Sequence, residues 1–135
     1  MTPKRLADLC APDFIQKHRG EWRIGDMYYY PRQAETEGHN GIRFINAGYG
    51  EGYNKEPCCP DVAIWLPRAI DPFHPERGLW GMVDWERYYI GGDGSGQMNI
   101  TEYTVTGDWN AKSWRTGYLE PTEALLRAIW RQEGL

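Results

Sequence analysis

Aliphatic side chains are scarce in this sequence. Val, Ile, Leu and Phe together supply 23 of the 135 residues, a low share for a chain that must build its own core. The chain also lacks a basic cluster, and its formal net charge is −4. Because nucleic-acid binders group Lys and Arg on one face, this charge argues against a nucleic-acid partner. No apolar run approaches the roughly 18 residues of a membrane-spanning helix, so no membrane partner is expected.

Cysteine and histidine are too few and too badly spaced to suggest a metal centre. The chain has three of each, and none stands in the C-x-x-C or H-x-x-x-H spacing that brings two ligands to one metal. Cys58 and Cys59 are adjacent, where a disulfide would be strained, so we expect reduced thiols. The sequence shows no signal-peptide pattern. These features predict a cytoplasmic protein with no metal and no other cofactor.

Large aromatic side chains take the place of the missing aliphatic ones. The chain has seven tryptophans, nine tyrosines and three phenylalanines. If each buries on the order of 200 Å², together they remove about 4,000 Å² from water, a substantial share of what a domain of this size buries. We therefore expect most aromatics in the core, among them Trp22, Trp65 and Trp130, and the remainder on a recognition surface.

Periodicity and turn residues predict one α+β domain over residues 1–135. A first helix is capped by Thr2, with Pro3 in its first turn, and a second helical stretch ends at Gly20. An amphipathic helix beginning near Pro121 closes the chain. Between them, runs rich in β-branched and aromatic residues predict a mainly antiparallel sheet of four to five strands, with the N-terminal and C-terminal helices packed on it. The predicted strands are residues 21–30, 41–46, 61–66, 79–90 and 97–105.

Three segments resemble small bacteriophage and prophage accessory proteins of unassigned activity. They are 18–29, with a W-x-x-G-D-x-Y-Y pattern, 63–68, an apolar run ending in Leu-Pro, and 120–130, which is similar to a T-P-E-E-A-L helix start. The chain departs from the family pattern at 120–122 and in 70–78, where the expected helical stretch is missing. The resemblance implies a phage or prophage origin, expression in a bacterial cytoplasm and no assigned chemistry, and it supplies no catalytic residues to place on this chain.

Other chemical motifs are explained by local structure. The glycine-rich segment 48–53 is followed by Pro57 and Pro60, not by the helix N-terminus that a phosphate loop needs. Asp84 and Glu86 would alternate onto one face of a predicted strand, where two carboxylates can serve a hydrolase. Exposed strand faces carry such pairs routinely, so the sequence favours a non-enzymatic function.

The candidate binding site is the segment 107–118, which combines aromatic and basic side chains before the last helix. Trp, Tyr and Arg dominate the energetics of protein interfaces, and loops on a rigid scaffold often carry recognition. The competing interpretation is that Trp109 and Trp114 fold back over an edge of the sheet and shield it from pairing. The residues predicted to bind are Trp109, Lys112, Trp114, Arg115 and Tyr118.

Two functions follow from this composition. The preferred one is a phage or prophage accessory protein that binds a host or phage protein through aromatic loops, without catalysis. The alternative is a small-ligand or carbohydrate-binding domain, or a hydrolase, with a cleft lined by Trp and Tyr. A homodimer through the terminal helix or an open strand edge is compatible with either.

Overall fold

Among the described residues, four α-helices, two short 3₁₀ helices and five strands form the regular structure. The computed structural model describes residues 1–31, 41–45, 56–57, 59–92, 94–104 and 113–135. The described residues divide into two compact units, Met1–Pro67 and Arg68–Leu135. The predicted α+β class is confirmed. The single domain over the whole chain stays a prediction.

The first unit begins with two short helices. Helix α1 spans Pro3–Cys10 and helix α2 spans Asp13–Gln16, and a 3₁₀ turn follows α2. The Thr2 hydroxyl accepts a hydrogen bond from the Arg5 backbone N–H at 3.2 Å, which satisfies one of the donors that a helix start leaves unpaired. The predicted cap and the predicted second helical stretch are both confirmed.

A three-stranded antiparallel sheet completes the first unit. Its strands are β1 (Met27–Tyr29), β2 (Ile42–Phe44) and β3 (Ile64–Leu66), in the order β2-β1-β3. The predicted antiparallel pairing is confirmed for these three strands. Strand β1 begins later than predicted, because Gly25, with φ 92°, takes part in a turn that interrupts the extended chain.

Aromatic rings fill the core of this sheet, as the shortage of aliphatic residues predicts. The rings of Tyr28 and Tyr30 are 5.1 Å apart, and Trp22 meets Tyr28 edge-on at 5.9 Å. Trp65 is buried, with 2% of its surface exposed, whereas Trp22 and Trp130 are half-buried. The core assignment is therefore correct for Trp65 and partly correct for the other two.

The side chain of Gln16 closes the outer edge of β3. Its Oε1 accepts a hydrogen bond from the Trp65 backbone N–H at 3.1 Å, and its Nε2 donates to the Trp65 carbonyl at 2.9 Å. Nε2 also donates to the Cys10 carbonyl at 2.7 Å, near the end of α1. One side chain thus supplies the partners that a fourth strand would have supplied at this position.

The second unit combines a two-stranded sheet with a short helix and a long helix. Helix α3 spans Leu79–Met82, strands β4 and β5 span Tyr88–Gly91 and Asn99–Glu102, and helix α4 spans Pro121–Gln132. Strands β4 and β5 pair antiparallel, and α4 packs against β5. The predicted final helix and the predicted antiparallel pairing are confirmed. Among the described helices, none is long and apolar enough to cross a membrane.

The predicted strand 79–90 is wrong over its first half, where helix α3 forms. The backbone N–H of Leu79 donates to the Arg68 carbonyl and that of Trp80 donates to the Ala69 carbonyl, both at 2.9 Å. These bonds tie the start of α3 to a preceding segment whose position cannot be inferred from periodicity. Of the predicted strand, only residues 88–90 are extended, as part of β4, and a turn lies between them and α3.

The predicted single sheet is also corrected. The five described strands form two sheets, of three and two strands. Each strand has only three or four residues, and Pro67 directly follows β3. Because proline has no backbone N–H, it cannot extend the ladder, and the chain leaves the first sheet there.

Candidate functional site

Part of the predicted binding segment forms a third row beside β5. The Glu102 backbone N–H donates to the Trp114 carbonyl at 2.9 Å, and the Thr116 backbone N–H donates to the Ile100 carbonyl at 2.9 Å. Both bonds run between antiparallel neighbours, so residues 114–119 lie along the edge of β5 that β4 leaves open. We call residues 114–119 the edge segment.

The edge segment contains a bulge. Arg115 lies opposite Thr101, and Leu119 lies opposite Met98, so three steps along β5 face four steps along the edge segment. Gly117, with φ 76°, lies within the longer stretch, in a conformation that favours glycine. A bulge bends a strand and disrupts its outer row of backbone groups. The edge segment is therefore a poor template for pairing with a further strand.

The inner face of the β4–β5 sheet, which carries the buried Tyr88 and Ile100, holds an ion-pair cluster. The Glu102 Oε2 accepts hydrogen bonds from Arg87 at 2.8 Å and 2.9 Å and lies 3.5 Å from the Arg131 Nε. Glu102 belongs to β5 and Arg131 to the last turn of α4. The cluster thus ties the sheet to the helix.

Trp114 packs on this inner face. Its ring meets the Tyr88 ring edge-on at 5.8 Å, and the Arg131 guanidinium carbon lies 5.8 Å from its centre. Tyr88 lies opposite Glu102 on β5, so the three side chains Tyr88, Glu102 and Trp114 form one row across the sheet. Trp114 therefore covers the sheet edge, as the competing interpretation of the sequence predicts for it.

The environment of this row shifts two pKa values. Burial alone would raise the pKa of Glu102, but hydrogen bonds from Arg87 and Arg131 and their positive charges outweigh it, so the pKa lies below its usual range. Burial raises the pKa of Tyr88 to about 12. Both groups therefore keep one charge state near neutral pH, which suits a structural cluster better than an acid–base site.

The lowered pKa of Glu102 gives a pH-dependent prediction. Its stabilising contribution is complete above the unfolded-state pKa of about 4.3 and is lost as the pH falls through the lower folded-state pKa. Glu102→Gln is therefore expected to cost about 1 kcal/mol at pH 7, and much less at pH 3. Urea unfolding followed by tryptophan fluorescence measures both values. Glu86→Gln, at an exposed carboxylate, is the control, and an equal cost of Glu102→Gln at both pH values would contradict the expectation.

The outer face of the same sheet is aromatic and exposed. Tyr89 is 43% exposed and Tyr103 is 55% exposed, and their ring centroids lie 4.8 Å apart. Tyr89 lies opposite Thr101, and Thr101 lies opposite Arg115, which is also exposed. These three residues form a row across β4, β5 and the edge segment.

Tyr118 belongs to the same outer face. Leu119 pairs with Met98, two residues before the buried Ile100, so Leu119 lies on the inner side. Tyr118, the residue before it in the bulged stretch, is 48% exposed, and we count it with this outer face. We name this surface the tyrosine face. It consists of Tyr89, Thr101, Tyr103, Arg115 and Tyr118.

The structure divides the predicted binding residues. Arg115 and Tyr118 lie on the tyrosine face, and Trp114 lies on the inner face, half-buried. Trp109 and Lys112 lie outside the described residues. The binding role that the sequence assigns to these residues stays a prediction. Trp114 lies on the opposite side of the sheet from Arg115 and Tyr118.

Tyr89 and Tyr103 are members of this surface that the sequence reasoning missed. A signal for them is present, because Tyr88 and Tyr89 are adjacent within a strand. Neighbouring side chains in a strand point to opposite faces, so when one face is buried the other tyrosine must face water. The doublet therefore predicts one core tyrosine and one exposed tyrosine.

The arrangement of two carboxylates on one strand face, which a hydrolase could use, is not present at Asp84 and Glu86. Asp84 and Glu86 lie in a turn between α3 and β4, not on a strand. The Asp84 carboxylate accepts a hydrogen bond from the Glu86 backbone N–H at 3.0 Å, and the Asp84 backbone N–H donates to the Gln132 Oε1 at 2.6 Å. Asp84 thus stabilises the turn, and these two residues give no support to hydrolysis.

Neither a metal-binding group nor a related protein indicates an activity. Within the part of the chain that the structure describes, no group of three or more His, Cys, Asp and Glu residues could hold a metal ion. Comparisons with protein-family models, curated proteins and solved structures find no match to this chain. Function is therefore inferred from the exposed chemistry of the second unit.

Proposed function

We propose that this chain is a non-enzymatic protein-binding module and that a partner protein docks on the tyrosine face. The observation that carries the proposal is the exposed pair of Tyr89 and Tyr103, whose rings are in contact at an interplanar angle of 46°. The chain uses aromatic rings in its core because aliphatic residues are scarce, yet it leaves this pair in water. A partner that covers the pair would bury the apolar area that folding leaves exposed.

The residue types of the tyrosine face favour a protein partner. Tyr and Arg are enriched at the centres of protein interfaces, and tyrosine offers a large contact area at a small cost in side-chain entropy. The backbone beneath the face is held by the buried Tyr88 and by the Glu102 ion pairs on the inner side. A surface held in this way loses little freedom on binding, which favours affinity.

The proposal includes a place of action. The partner is a host or phage protein in a bacterial cytoplasm, and the chain is a phage or prophage accessory protein. This part is supported by the resemblance of the segments 18–29, 63–68 and 120–130. The docking surface does not depend on this resemblance, because it is supported by the exposed pair of Tyr89 and Tyr103.

The test is comparative capture from a bacterial lysate with the whole chain as bait. Tyr89→Thr combined with Tyr103→Thr removes both rings and keeps side chains that suit a strand. We expect partner binding to weaken by about tenfold or more, because a central aromatic residue at an interface commonly contributes about 2 kcal/mol. Phe73→Ala is the matched control, since Phe73 is 85% exposed in the same unit but lies outside the tyrosine face.

The two variants separate the outcomes. A protein retained by the wild type and by Phe73→Ala, but lost by the double variant, supports the proposal. A protein retained equally by the double variant contradicts it. If the wild type captures no protein but binds a soluble oligosaccharide, and the double variant loses that binding, the result would favour the carbohydrate-binding alternative. Circular dichroism of each variant confirms that the fold is intact.

A further inference from the structure

We infer that the partner segment that docks on the tyrosine face is acidic, with a carboxylate that binds Arg115 and an aromatic or apolar side chain that packs on Tyr89 and Tyr103. This inference rests on the proposed function and adds the chemistry of the partner. It depends on three features of the second unit, which are the state of Arg115, the charge of the face and the shape of the sheet edge.

Arg115 differs from four other arginines of the second unit. Its side chain is exposed, and among the described residues it forms no ion pair. Four other arginines of the second unit each lie within 4 Å of a carboxylate oxygen. These paired residues are Arg77, Arg87, Arg127 and Arg131. Within the described part of the chain, Arg115 thus offers a guanidinium with no carboxylate bound to it, the group best suited to bind a carboxylate through two parallel hydrogen bonds.

The charge of the tyrosine face complements an acidic partner. None of its five residues carries a carboxylate, although the whole chain has a net charge of −4. The carboxylate of the central strand, Glu102, lies on the inner face and is held by Arg87 and Arg131. The outer face therefore presents one cation together with hydroxyl groups of tyrosine and threonine, which can also donate hydrogen bonds to a carboxylate.

Other occupants fit the surface less well. A nucleic acid would require several cations along its phosphates, whereas the face has one and the chain is negative overall. A second copy docked face to face about a two-fold axis would bring two surfaces of the same positive sign together. Strand addition is disfavoured by the bulge at Gly117. An acidic protein segment that binds through its side chains fits the charge and the residue types of the tyrosine face.

A displayed library of random twelve-residue peptides tests the inference. We expect selection on the immobilised wild-type chain to enrich Asp or Glu near an aromatic residue. Selection on Arg115→Glu is expected to enrich Lys or Arg at the same place, because the variant reverses the charge that the peptide meets. Lys4→Glu makes the same change of net charge on α1, in the first unit, and is expected to select the same peptides as the wild type.

Affinities of one selected acidic peptide complete the test. Binding measured by fluorescence anisotropy is expected to weaken about tenfold or more in Arg115→Gln, consistent with loss of a charge-assisted contact, and to be unchanged in Lys4→Glu. Arg115→Gln is a smaller change than Arg115→Glu, so it tests the contact even where charge reversal impairs folding.

The outcomes distinguish this inference from the proposed function. Peptides that need Tyr89 and Tyr103 but are indifferent to Arg115 would overturn the inference and leave the proposed function intact. Peptides that bind equally well to the double tyrosine variant would overturn both. Displacement of the peptide by a twelve-residue oligothymidylate that binds more tightly would overturn the inference in favour of single-stranded nucleic acid.

Discussion

Replacing Gln16 by methionine is expected to lower the free energy of unfolding of the first unit by about 3 kcal/mol. The amide of Gln16 forms three hydrogen bonds, one with the Cys10 carbonyl and two with the backbone of Trp65. Methionine preserves the length of the side chain but can form none of them. Because Trp65 is only 2% exposed, its backbone groups would lose their partners with little access to water.

Urea unfolding followed by tryptophan fluorescence measures this loss. Lys17→Met is the matched control, because Lys17 is the next residue along the chain and is exposed. We expect the control to change the free energy of unfolding by less than about 0.5 kcal/mol. Equal effects of the two substitutions would contradict the assignment of Gln16 as the group that closes the edge of β3.

Gly81→Ala is expected to destabilise the second unit by about 3 kcal/mol, although Gly81 is exposed within a helix. A Cβ at this position would overlap the Pro75 carbonyl oxygen and lie 3.0 Å from the Pro75 carbonyl carbon. Both atoms belong to the backbone, so neither can rotate away. At an ordinary helical position the same change would be stabilising by up to about 1 kcal/mol, so the sign of the effect is the test.

Thermal unfolding of Gly81→Ala is best compared with that of Gly92→Ala. A Cβ at Gly92 would meet the Gln97 carbonyl oxygen at 3.9 Å, an ordinary contact, so this control is expected to be close to neutral. A Gly81→Ala variant as stable as the wild type would show that α3 does not pack against Pro75 as the structure has it.

Elements with local signals could be predicted from the sequence, and helix α4 is the clearest case. Proline at its start, Glu123 in its first turn and Arg131 in its last turn are read directly from the chain, and all three lie where expected. Helix α3 has no such signals. It is helical because Leu79 and Trp80 bond to residues 68 and 69, a tertiary contact that periodicity cannot reveal.

The docking surface could be predicted only in part, for a reason that concerns neighbouring residues. Trp114 and Arg115 are adjacent in sequence, and their residue types predict one binding surface for both. Once they lie along β5, the period of two sends Trp114 to the inner face and Arg115 to the outer face. Which side is buried depends on where α4 packs, and this long-range contact is not encoded in the segment itself.

Labelling of aromatic side chains by hydroxyl radicals, with and without a captured partner, tests the docking surface most directly. In the free chain, Tyr89, Tyr103, Tyr118 and Phe73 are expected to react, and the buried Tyr88 is not. In the complex, we expect the three exposed tyrosines to be protected while Phe73 stays reactive. Unchanged labelling of these tyrosines in the complex, with protection elsewhere, would contradict docking on the tyrosine face.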